Sequence, residues 1–153
     1  MPKGLPEGLH TVTPAMTLDG AADAIAFYRK AFGAEEVSRA EDPSGKKVWH
    51  AAIRIGDSTL FLNDPFPDMG APAHTSKLWI YSEDVDAAFK RAVDAGGKPG
   101  MPPTDMFWGD RVASIIDRWG NTWTLATRKE NLGEAEMKQR QEKAVKEWQE
   151  GKK

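Results

Sequence analysis

Apolar and polar positions along the chain alternate between two periods. From Thr11 to Leu18, Thr and Val dominate between turn residues; this is a strand pattern, with Pro14 marking an edge or a bulge. After Asp19-Gly20, residues Ala21, Ala24, Ile25, Tyr28 and Phe32 recur at helical spacing as one stripe, and Gly33 stands where a left-handed C-terminal cap belongs. Strands are predicted next over Glu35–Glu41, Val48–Ile55 and Ser58–Asn63, with turns at Asp42-Pro43-Ser44-Gly45 and Gly56-Asp57. A Pro-, Gly- and Ala-rich stretch up to Ser76 reads as a linker or a long binding loop.

The order then repeats. Lys77–Ser82 reads as a strand, and Asp84 caps a helix with the stripe Val85, Ala88, Phe89, Ala92 and Val93, ended by Gly96-Gly97. A proline-broken segment covers Lys98–Asp105, and strands at Arg111–Asp117 and Thr122–Arg128 flank the turn Trp119-Gly120-Asn121. A shift of about 63 residues lays Asp23-Ala24 on Asp86-Ala87 and Gly33 on Gly96, which indicates an internal duplication rather than two similar pieces met by chance. The expected fold is α+β: two βαβββ modules, 11–64 and 77–130, joined by a loop at 65–76 into an open cupped sheet within one structural domain. A C-terminal helix over 133–150 follows, and its narrow stripe of Met137, Ala144, Val145 and Trp148 is expected to dock on the parent domain or on a twin subunit.

Composition narrows the chemistry. The 153 residues contain no cysteine, which removes disulfides, thiolate nucleophiles, Cys-built zinc sites and iron–sulfur clusters. With 21 basic against 23 acidic residues, and the basic ones dispersed, there is no electrostatic footprint for nucleic acid or an anionic membrane. No run approaches the roughly 20 apolar residues of a membrane helix, and Met1–His10 lacks the apolar core of a signal peptide, so the cytoplasm is the expected address.

A βαβββ unit covers one face of its sheet with its helix and leaves the other bare; two bare faces, paired within or between chains, enclose a cavity. Alternation assigns Leu60, Leu62, Leu78, Ile80, Trp123 and Leu125 to the helix side, with Ala51, Ile53 and Ile55 beside them. His50, Phe61, Asn63, Trp79, Tyr81 and Thr124 then face the cavity, Trp108 with Phe107 sits in a loop at its mouth, and Trp49 joins Trp123 in the core. Lys77, Arg54, Arg111 and Arg128 are sources of positive charge for an acidic ligand, although long cations at strand ends also snorkel to water. Of the three histidines, His10 and His74 are expected in solvent. His50 is the weak candidate for a general base, the ordinary alternative being a hydrogen bond inside the sheet. No Ser–His–Asp or paired-carboxylate set can be assembled from inward positions.

The stretch Thr13-Pro14-Ala15-Met16-Thr17-Leu18-Asp19-Gly20-Ala21-Ala22-Asp23-Ala24-Ile25-Ala26-Phe27-Tyr28, continuing to Ala31-Phe32-Gly33-Ala34, resembles the first module of the glyoxalase/bleomycin-resistance/extradiol-dioxygenase superfamily, also called vicinal oxygen chelate proteins. Ile55-Gly56-Asp57-Ser58 resembles its β-turn; Asp105–Arg111 and Asp117-Arg118-Trp119-Gly120-Asn121 resemble its second module, with Arg118 where Pro is usual. Within it, the chain is similar to a small bacterial subgroup, mostly uncharacterised, with a charged C-terminal helix. The resemblance implies a fold that hosts isomerases, dioxygenases, thiol transferases and drug binders. Metal-using members place His or Glu on the inner faces of four strands. Here those positions fall near Thr13, Phe61, Lys77 and Thr124, which are poor ligands, so no cofactor is expected.

The expected function is metal-free binding of a small organic molecule, drug or metabolite, in an aromatic-lined cavity, as in bleomycin resistance; catalysis is not the favoured reading. The ligand-binding set is His50, Phe61, Asn63, Trp79, Tyr81, Trp108, Arg111 and Thr124, with a homodimer expected and neither nucleic acid nor membrane as partner. The alternatives are a metal-dependent lyase, isomerase or dioxygenase using a divalent ion, with His50 among its ligands, and an interaction module without a ligand.

Overall fold

The structure is a computed structural model that describes residues 4–151. The first residues of the N-terminal stretch, Met1–Lys3, and the last two of the chain, Lys152 and Lys153, lie outside the described residues. The first module runs β1 (Ala15–Thr17), α1 (Ala21–Phe32), β2 (Glu35–Glu41), β3 (Val48–Ile55) and β4 (Ser58–Asn63). The second runs β5 (Lys77–Tyr81), α2 (Val85–Asp94), β6 (Lys98–Pro99), β7 (Thr104–Asp105), β8 (Asp110–Ile116) and β9 (Thr122–Arg128), and α3 (Glu134–Gly151) closes the chain. The sheets have equivalent orders, β1-β4-β3-β2 and β5-β9-β8-β6, with the short β7 also on β8; β1 and β5 are parallel edge strands. This is the α+β, twin-module architecture with a C-terminal helix that the sequence predicts. Among the described residues no helix is long and apolar enough to cross a membrane.

Distant side chains finish what local sequence starts. Gly20, at the N-terminal cap of α1, has no side chain to accept the first free N–H groups. The buried Asp64, just past β4, takes that role: its Oδ1 accepts from the backbone N of Gly20 (2.8 Å) and Ala21 (3.1 Å), and its Oδ2 from Val48 (2.7 Å). One carboxylate thus ties together the starts of α1 and β3 and the end of β4, where the helix dipole favours negative charge. In the second module Asp84 caps α2 itself, accepting from Ala87 N (3.2 Å). Gly33 closes α1 at φ 70°, where a Cβ would lie 3.2 Å from Arg91 Nη1.

The modules join through their helix-bearing sides. Met16, Leu18, Ile25, Tyr28, Ile53 and Leu62 of the first form one continuous core with Val85, Ile115, Trp123 and Leu125 of the second. Tyr28 packs on Trp123 with ring centroids 4.9 Å apart and donates its hydroxyl to Asp117 Oδ2 at 2.6 Å. Asp117 is buried and also accepts from Trp123 Nε1 and from the backbone N of Trp119 and Asn121. Burial, reinforced by that carboxylate, pushes the Tyr28 hydroxyl far above the ordinary phenol range, so it remains a donor. Arg91 of α2 donates Nε to the carbonyl of Lys30 in the last turn of α1 (2.8 Å).

Several expectations are corrected. β1 is confined to Ala15–Thr17; Pro14 lacks an N–H, and Val12 before it is exposed. Trp49 is not core but 48% exposed, because the ladder pairs His50 with Ala40 and Val48 with Glu41, leaving Trp49 as the extra residue of a bulge. His74 is exposed, as expected, yet it also has a structural part: its Nε2 accepts from Thr17 N (3.2 Å) and its backbone N donates to Thr17 O (3.0 Å), sealing the outer edge of β1. No residue of α3 is buried; Arg140 anchors the helix to Glu130 just before it, at 2.6 Å.

Candidate functional site

The modules share the core on their helix-bearing sides, and the helix-free faces carry exposed side chains, His50, Trp79 and Tyr81 among them. On the first sheet this face carries His50, whose ring meets Phe61 edge-on at 4.7 Å, and Asn63, which accepts from Thr17 Oγ1 at 3.1 Å. On the second it carries Trp79 (46% exposed) and Tyr81 (56% exposed), their ring centroids 6.3 Å apart along β5. Thr124 lies beside Trp79 in the ladder and is buried. The predicted set therefore divides: His50, Phe61 and Asn63 share one face; Trp79, Tyr81, Thr124 and Trp108 share the other.

Arg111 belongs to neither. It alternates with the core residues Ala113 and Ile115, and so reaches the helix side, where Nε and Nη2 grip Asp86 at the start of α2 and Nη1 grips Asp105. Its place in the predicted set is corrected by that register.

A polar cluster on the bare face of the second sheet, centred on Asp110, is not among the sequence expectations. Asp110, 1% exposed, accepts from Tyr81 Oη (2.8 Å) and Trp108 Nε1 (2.8 Å) through Oδ2, and from Arg128 Nε (2.5 Å) through Oδ1. Desolvation pushes this carboxyl upward, but the bonds from Arg128, Tyr81 and Trp108 outweigh it and hold it below the usual carboxylate range. Asp110 raises the Tyr81 hydroxyl in turn. Counting back from the Trp119-Gly120-Asn121 turn pairs Asp110 with Arg128, and that arithmetic is a signal the sequence does contain. Trp108 is seated by Gly109 (φ 100°), whose carbonyl accepts from Lys129 N and Glu130 N, and where a Cβ would come within 2.6 Å of Glu130 O.

At the seam between the modules lies a hollow of about 510 Å³. Phe32, Leu60, Leu78, Ile80 and Trp123 give it apolar walls, Ser58 and Ser82 contribute hydroxyls, and Trp79 and Tyr81 stand on its border. A volume of this order accommodates a drug-sized molecule.

The donor chemistry does not fit a divalent ion. Phe61 offers no lone pair, Thr124 only a buried hydroxyl, and Lys77 a cation; among the described residues no three His, Asp or Glu side chains gather closely enough to hold a metal.

Comparison with known proteins agrees with the fold. Residues 9–125 match the family model described as the Glyoxalase/Bleomycin resistance protein/Dioxygenase superfamily. An uncharacterized protein of Mycobacterium tuberculosis is 39% identical over 123 residues, covering 74% of this chain and 72% of that one. Among solved structures, TioX from Micromonospora sp. ML1 superposes with a TM-score of 0.62 at 20% identity, covering 76% of this chain and 98% of that one. A superfamily member from Sphaerobacter thermophilus gives 0.57 at 22% identity, covering 77% and 98%. With the twin βαβββ modules and the match over most of its length, this chain belongs to the glyoxalase/bleomycin resistance protein/dioxygenase superfamily.

Proposed function

We propose that this protein binds a small organic molecule without a metal, and that two copies pair so that the first-module face of one (His50, Phe61, Asn63) meets the second-module face of the other (Trp79, Tyr81, Thr124). The carrying observation is that the second sheet keeps Trp79 and Tyr81 exposed on its bare face and the first keeps exposed His50 beside half-buried Phe61 on its own, while these residues lie outside the core between the modules. Exposed rings grouped on one face mark an interaction site, and rings with a few polar groups suit a flat or amphiphilic guest. Held in this way, a toxic compound would be kept from its target by mass action, the bleomycin-resistance mode of the superfamily.

Titration with flat aromatic and glycopeptide-like compounds, read by tryptophan fluorescence, is expected to quench the wild type and to quench Trp79→Ala less. Sedimentation is expected to give a dimer. Purified protein carrying a divalent ion near stoichiometry would replace this reading with a metal-dependent enzyme. Absence of quenching by any compound would favour an interaction module.

A further inference from the structure

The Asp110 cluster narrows the class of guest. We propose that the ligand carries an acidic group and that Arg128 receives it, with Asp110 as the positioning residue that holds Arg128 in place; this rests on the small-molecule reading above.

A buried carboxylate is strongly destabilising unless its oxygens are fully hydrogen-bonded. Asp110 meets that requirement entirely with side chains of the aromatic face: Tyr81, Trp108 and Arg128. Its geometry therefore fixes two rings and one cation relative to one another.

The two arginines of β8 and β9 differ in how they use their guanidinium groups. Arg111 spends all three of its nitrogens on Asp86 and Asp105, as an arginine with a structural role does. Arg128 donates Nε to Asp110 and lies beside the Tyr81 hydroxyl, and its side chain remains 47% exposed, which leaves part of the guanidinium open to a guest. A planar guanidinium held by one edge presents two amino groups in the spacing that matches a carboxylate, sulfonate or phosphate. The Tyr81 and Trp79 rings alongside supply a wall for the rest of the molecule. Arg54 and Lys77, the other cations on the bare faces, have no ion pair among the described residues, and their positive charge compensates the Asp110 carboxylate that offsets Arg128.

Two dyes that differ in one group test this: anilinonaphthalene sulfonate, and phenylnaphthylamine, the same ring system without the sulfonate. The wild type is expected to bind the anionic dye about tenfold more tightly than the neutral one, a factor equal to about 1.4 kcal/mol. Arg128→Gln should abolish that ratio, Arg128→Lys should keep part of it, and Asp110→Asn should lower it while far-UV circular dichroism is preserved. Equal affinity of the wild type for both dyes, or an unchanged ratio in Arg128→Gln, overturns the acidic-ligand assignment and leaves small-molecule binding standing. Binding of neither dye to the folded wild type removes both.

Discussion

Asp110 carries more of the chemistry of this molecule than any residue of the predicted set, and its protonation has a definite sign. Its carboxyl is held below the roughly 3.9 of a free aspartate, so the stability it contributes is present above that value and is lost as pH falls through the folded-state value. Thermal unfolding of the wild type and Asp110→Asn between pH 3 and 7 should therefore show a gap at neutral pH, of about 1–3 kcal/mol, that closes on acidification. A gap constant with pH would mean that Asp110 is not ionised in the fold. Tyr28 is the second such residue. Removing its hydroxyl takes one donor from a buried carboxyl group that keeps those of Trp119, Asn121 and Trp123, so Tyr28→Phe should cost about 1.5–3 kcal/mol in denaturant unfolding.

At the scale of elements, local pattern and long-range capping divide the work. The stripe of α1 is plain in the sequence, but the group that caps it lies 43 residues away, in Asp64. Asp64→Ala should cost about 2 kcal/mol or more, since it removes a helix cap and also strands the buried Val48 N–H; a loss under half of that would show that backbone relaxation replaces the carboxylate. The terminal helix behaves oppositely. With no buried residue in α3 and its anchorage provided by Arg140 on Glu130, deleting 134–151 should leave the midpoint of thermal unfolding within a few degrees of wild type. β3 shows the limit of alternation: every helix-side residue from Ala51 onward is where period two puts it, yet one inserted residue turns Trp49 outward.

At the scale of the whole molecule, the question is what covers the bare faces. Phe61 and Trp79 lie outside the shared core, so Phe61→Glu or Trp79→Glu should shift sedimentation from dimer to monomer with little change in the melting midpoint. A variant that stays dimeric would place the interface elsewhere. The sequence by itself determined the two modules, nearly all their elements and which side of each strand meets a helix, because periodicity, turns and duplication are local or recurrent properties of the chain. Only the tertiary structure decided that the modules join through their helix sides and that Arg111 and Arg128 point to opposite faces. It likewise gathered Tyr81, Trp108 and Arg128 around Asp110. Such arrangements depend on register and on contacts between segments tens of residues apart, where one residue more or less in a strand exchanges the two faces of a sheet.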